Sequence, residues 1–205
     1  RPDGAQSHRR GTHLSAGRRG GACACGLLLG LLLIAVTPLA ALDPSRRLTQ
    51  YRVETWGVEE GLPSLSVAVV TQTPDGYLWI GTTEGLASFD GVRFRTYDRW
   101  NTPAFRLNEV RSLFVDSRGA LWIGFAGSGV VVRERGEFVA VEPSGLTAVN
   151  FAEDADGVLL GTDRGLFHRR HDAPLRFAPV SAAATLSGDL IFRVNHDRRG
   201  RTWLN

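Results

Sequence analysis

His168 and His171 stand three residues apart in the run Phe-His-Arg-Arg-His-Asp that ends at Asp172. That spacing could begin a metal site, but zinc needs three or four ligands. The intervening residues are arginines, so the run reads as a solvated, charged hairpin end. Glu59 with Glu60, and Asp154 with Asp156, are pairs of acids such as a glycosidase uses. Asp154 has a plainer explanation in a repeated turn, described below. The glycine-rich stretch 124–129 follows a predicted strand, yet a phosphate cradle also needs a helix after it. None is predicted there, and the glycines fall at ordinary turn positions of the repeat. No HExxH, GxSxG or P-loop spacing occurs. The sequence therefore predicts no catalytic residue, no metal and no cofactor. Ligand binding is the remaining chemistry. Trp56, Glu60, Trp100, Arg106 and Asn108 mix aromatic and polar character, as pockets for carbohydrates or small polar molecules do. They fall in segments 56–64 and 98–108, which with 182–189 are expected to be loops at one mouth of the fold.

The elements that would carry these loops repeat. Asp-Gly-Tyr-Leu-Trp-Ile-Gly-Thr at 75–82 recurs as Arg-Gly-Ala-Leu-Trp-Ile-Gly-Phe at 118–125. A third copy, at 156–162, is one residue shorter and has Leu160 for Trp, and a fourth runs from Arg199 to Asn205. The turn glycines Gly76, Gly119, Gly157 and Gly200 follow at intervals of 43, 38 and 43 residues. Three residues before them stand Thr73, Asp116, Asp154 and Asp197. An Asp there can accept a backbone N–H two or three residues on, and Gly supplies positive φ. Each copy follows a β-prone run at 67–71, 110–115, 149–152 or 191–194. In the first copy the predicted strands are 67–72, 77–82, 86–89 and 92–97, with Asp90-Gly91 as a two-residue hairpin turn. Four antiparallel strands in about 40 residues make one β-propeller blade. Blades cannot bury their own faces, so they stack. Trp79, Trp122 and Trp203 recur in register and are expected to fill the space between blades, each removing about 4–6 kcal/mol worth of apolar surface from water. Gly81, Gly124 and Gly161 belong to the same repeated framework.

The fold class is thus all-β, an incomplete ring of propeller blades behind an N-terminal signal or anchor segment. Residues 1–42 form that segment, 43–66 a loop and a lead-in strand that could close the ring, 67–109 blade 1, 110–145 blade 2, 146–190 blade 3, and 191–205 the start of blade 4. In the leader, Arg18 and Arg19 precede eleven apolar or glycine residues at 26–36, then Leu39-Ala40-Ala41. That order suits a cleaved signal peptide or an uncleaved inner-membrane anchor. The only cysteines, Cys23 and Cys25, lie inside it, so the rest has no disulfide. The leader also explains the pI of 9.4. From Asp43 onward there are 19 basic and 20 acidic residues, which leaves no basic stripe for nucleic acid. The sequence lacks Met, and three copies with a start of a fourth cannot close a ring, so a longer reading frame is expected.

Other propeller repeats of this length are excluded by their signatures. Residues 43–205 contain no Gly-His, Trp-Asp or Gly-Gly pair, and the aspartates stand three residues before the glycines rather than two. The stretch from Val67 to Gly91, with Trp56-Gly-Val-Glu-Glu-Gly-Leu-Pro63 before it, closely resembles the two-component regulator propeller repeat. The resemblance extends over residues 48–205, most specifically in the first copy. It implies a periplasmic sensor region of a bacterial membrane receptor, whose output is commonly a histidine kinase and sometimes a diguanylate cyclase or a DNA-binding regulator. No such output occurs in this sequence. The alternative is a secreted propeller lectin or glycan-active enzyme. Expected partners are an unidentified small molecule or carbohydrate, the inner membrane, and a second copy in the full-length protein.

Overall fold

The computed structural model describes residues 53–180 and 190–205. The leader at 1–42, most of the lead-in strand at 48–53 and the 182–189 loop lie outside the described residues.

Residues 54–205 form one compact unit that is all-β. Strands β1 (Val67–Gln72), β2 (Leu78–Thr82), β3 (Gly85–Phe89) and β4 (Phe94–Tyr97) make the first antiparallel sheet, in chain order. β5 (Val110–Val115), β6 (Leu121–Phe125), β7 (Gly129–Glu134) and β8 (Glu137–Val141) make the second. β9 (Ala148–Glu153), β10 (Gly157–Thr162), β11 (Gly165–Arg170) and the two-residue β12 (Ala178–Pro179) make the third. β13 (Val194–His196) and β14 (Thr202–Leu204) pair as a start of the fourth. These sheets do not close a ring.

The cores lie between sheets, because successive side chains of a strand point to opposite faces. In β6 all five residues are buried. Leu121, Ile123 and Phe125 join Trp79, Leu86 and Val131 between sheets one and two, whereas Trp122 joins Phe151, Leu160 and Phe177 between sheets two and three. Sheet three meets the fourth through Ala152, Leu159, Leu166, Ile191 and Val194. The glycine after each Trp-Ile or Leu-Leu pair sits within a strand, where the next sheet comes closest. A Cβ on Gly124 would stand 2.7 Å from the Cβ of Ala148, and one on Gly161 2.9 Å from Ile191 and Val194. Gly124 is therefore a packing glycine rather than the turn glycine its sequence context suggests.

Several expectations change in detail. Asp90 and Gly91 belong to a four-residue connection, and β4 begins only at Phe94. The Asp90 carboxylate accepts the N–H groups of Val92 (2.8 Å) and Arg93 (2.7 Å), which folds 90–93 into an Asx turn and holds its pKa below the ordinary value. Gly76, Gly119 and Gly200 have positive φ (91°, 81° and 75°). Gly157 does not share this: the missing residue shortens the turn, and Gly157 enters β10 opposite Arg170. In the fourth copy the strand starts at Val194. Phe192 and Arg193 both donate to the carbonyl of Asn205, an irregularity like those at Val67/Val69 and Val110/Ser112.

Candidate functional site

The repeated Asp–Gly turn and the repeated Trp prove to be one device. The Trp122 indole N–H donates to Asp116 Oδ2 at 2.8 Å, and that of Trp203 to Asp197 Oδ2 at 3.1 Å. Asp116 Oδ1 meanwhile accepts the N–H groups of Arg118 and Ala120. In the first sheet the Thr73 hydroxyl accepts the Trp79 indole at 2.9 Å and donates to Asp75. A buried indole N–H needs such a partner. Where Leu160 replaces Trp, Asp154 has no indole to hold and accepts from Asp156 and Gly157 within its turn. The sequence reading gave this carboxylate a turn and missed the indole six residues on.

Each buried Trp lies in a socket made by the next sheet. Trp79 sits 6.4 Å from Phe138, and the Arg133 guanidinium lies 4.9 Å from its ring centroid. Trp122 sits 5.7 Å from Phe177, with the Arg169 guanidinium also at 5.7 Å. The register makes Phe94, Phe138 and Phe177 equivalent, as it does Phe89, Arg133 and Arg169. Trp56 occupies the corresponding place on the first sheet, 5.0 Å from Phe89 and 6.1 Å from Phe94. Trp203 differs from Trp79 and Trp122. It is 55 % exposed, because no described sheet follows to cover it, and Arg201 stacks on it from the same strand pair.

The five candidate ligand residues do not converge. Trp100 and Asn108 share a shallow depression of about 280 Å³ with Thr83, Glu84 and Arg99. Trp100 is 71 % exposed under the Arg99 guanidinium, and Asn108 Oδ1 accepts the Arg99 N–H. Arg106 is exposed and is not among the lining residues. Trp56 packs at the far end of the β3–β4 ladder, and Glu60 Oε2 accepts the Gly57 N–H at 2.6 Å. Segment 56–64 thus lies partly along the sheet rather than at one mouth, since the apolar Trp56 ring finds cover on Phe89 and Phe94.

Residues that the sequence reading passed over line a larger cleft. It encloses about 580 Å³ between β4 and the β7–β8 hairpin. Arg95, Tyr97, Thr102, Arg133, Glu137 and Phe138 line it. One signal was available: Arg133 directly follows the apolar run Val130–Val132 on a strand whose first four residues are buried.

The histidines also differ from expectation. His168 Nε2 lies 3.3 Å from Asp154 Oδ1, and His171 Nε2 lies 3.4 Å from Glu153 Oε1; all four side chains are at least three-quarters buried. Glu153 further accepts from the N–H and hydroxyl of Ser117 in the second sheet. Glu153 therefore ties sheet three to sheet two, and the two histidines lie against carboxylates of their own sheet instead of standing in solvent. Among the described residues no group of three or more His, Cys, Asp or Glu could hold a metal ion. No helix of the described residues is long and apolar enough to cross a membrane.

Comparison with known proteins places this architecture. Residues 61–84 and 104–127 match the family described as two component regulator propeller. No curated protein sequence gives a significant match. Among solved structures, the extracellular domain of a putative hybrid two component system from B. thetaiotaomicron has 17% identity and a TM-score of 0.61, over 74% of this chain and 22% of that one. A second such domain from the same organism has 24% identity and a TM-score of 0.56, over 71% and 21%. Virginiamycin B lyase from Staphylococcus aureus has 9% identity and a TM-score of 0.53, over 70% and 50%. The chain thus spans about a fifth of the length of the two extracellular domains and half that of the lyase. At these identities the likeness establishes the fold alone, and the repeat match marks residues 61–84 and 104–127 as similar to two-component regulator propeller repeats.

Proposed function

We propose that this chain is a stretch of the periplasmic ligand-sensing propeller of a bacterial two-component receptor, and that the full-length protein relays ligand occupancy to a cytoplasmic histidine kinase. The observation that carries this reading is the double repeat match at 61–84 and 104–127, seated on sheets that resemble extracellular domains of putative hybrid two component systems. In this reading residues 1–42 carry the chain through the inner membrane or hold it there. The blades do no chemistry of their own. They form a scaffold whose rim and inter-sheet clefts hold a small molecule or carbohydrate, and the full-length receptor acts as a homodimer.

Two measurements test this. Alkaline phosphatase fused after Asn205, behind the native residues 1–42, should be active, which requires export. In the full-length receptor, deleting residues 53–205 should abolish ligand-dependent phosphorylation. A silent phosphatase, or phosphorylation that responds to ligand without these residues, would overturn the reading.

A further inference from the structure

We infer that the cleft between the first and second sheets binds a small ring-bodied monocarboxylate, its acid group held by Arg133 and Arg95 and its ring laid against Tyr97 and Phe138. This deepens the sensing reading and rests on it for its purpose, although the binding itself is independent of any output. Arg133 is the central group. Its guanidinium carbon lies over the Trp79 ring, 4.9 Å from the centroid, and 5.9 Å from that of Phe138. Its Nε is shielded from solvent and has no hydrogen-bond partner. No acidic side chain pairs with it among the described residues. Arg95, on the opposite wall, stacks 5.3 Å from the Tyr97 centroid and is likewise without an acid. A guanidinium whose face is occupied by an aromatic ring still presents its N–H edge, the geometry that accepts a carboxylate through two parallel bonds.

The equivalent Arg169 shows what a purely structural arginine looks like at this position. It is buried against Trp122 and covered by the 174–177 segment, where Phe177 donates its N–H to the Glu142 carbonyl at 2.6 Å. The Arg169 Nε, like that of Arg133, is shielded and has no hydrogen-bond partner, so the two arginines differ in what lies beyond them: packed side chains at Arg169. Arg133, by contrast, opens onto about 580 Å³, the size of a site for a small organic molecule. The remaining walls narrow the ligand further. Tyr97 and Phe138, 4.9 Å apart at their centroids, offer aromatic surface to a ring. Glu137 at the rim can accept hydroxyl groups and repels a second negative charge. Thr102 donates to Asn101 Oδ1, so that wall is already internally bonded and rigid.

Uronic acids and aromatic acids both carry this chemistry. Titration calorimetry of the 205-residue chain with D-glucuronate, benzoate and neutral glucose separates them. At least one acid should bind and weaken with added salt, while glucose should not bind; the acid that binds identifies the body of the ligand. Arg133→Gln should weaken that acid by roughly tenfold or more. Because Arg133 also covers Trp79, Arg95→Gln serves as an exposed companion, expected to cost several-fold with unchanged circular dichroism. Binding of neither acid, equal binding of glucose, or an affinity unchanged in Arg95→Gln and Arg133→Gln alike would overturn the assignment. A failed relay with intact acid binding would count against the sensing reading alone.

Discussion

The junction between sheets one and two and the junction between sheets two and three use the same parts with different results. Both seat a Trp from a second strand against an Arg and a Phe from the next sheet. At the second junction a carboxylate holds the indole, and the chain before β12 turns back so that residues 175–177 hydrogen-bond Glu142 of the second sheet. Arg169 and Phe177 are buried there. At the first junction a hydroxyl holds the indole, and the connection between β7 and β8 is only Arg135-Gly136. Nothing folds over the edge, and a cleft remains with an arginine in its wall. A socket that is filled serves stability, and the same socket left open can serve recognition.

Substitutions at matched positions should separate the junctions. The largest effect is expected from Phe177→Ala, about 3–5 kcal/mol in urea unfolding, since it leaves a void beneath Trp122. The equivalent Phe138→Ala borders a cleft already open to solvent and should cost clearly less; equal costs would break the comparison. Next is Gly124→Ala, expected to lose about 1–3 kcal/mol because its Cβ would meet the Cβ and, at 3.0 Å, the carbonyl of Ala148. Gly81→Ala faces Val69 and Val110 side chains, which can adjust, so its thermal midpoint should fall less.

The latch comes third. Asp116→Ala strands a buried indole N–H and the Ala120 N–H and should cost about 2–3 kcal/mol. Thr73→Ala releases one indole, for about 1 kcal/mol. The smallest effect concerns the exposed latch. The Arg201 N–H, the Trp203 indole and the Arg201 guanidinium hold the Asp197 carboxyl down at about 2. A lowered folded-state pKa means the latch is fully present above the ordinary Asp value near 4 and is lost as pH falls through about 2. The Trp203 indole N–H resonance should therefore shift with a midpoint near that value, and a midpoint near 4 would show the latch is not formed in solution.

Much of the architecture was legible in the residues. The period, the strand order and the register of Trp, Gly and Asp are local patterns, and a repeat must satisfy the same contacts in every copy. Even the likeness to two-component regulator propeller repeats could be recognised in the Asp-Gly-Tyr-Leu-Trp-Ile-Gly run. The candidate site was far less legible. Trp56 and Trp100 looked alike as loop aromatics, but one covers Phe89 and the other stands in solvent. Gly157 looked like Gly76 and Gly119, but one missing residue moved it from turn to strand.

By itself the sequence determined that this is an all-β chain of stacked repeats, because turn chemistry and strand alternation act over a few residues. Only the tertiary structure decided which Trp is covered, which histidines find carboxylates, and which arginine is left facing a cleft. Those outcomes depend on how one sheet's edge meets the next across residues about forty positions away, and a single repeat carries no record of its neighbour's edge.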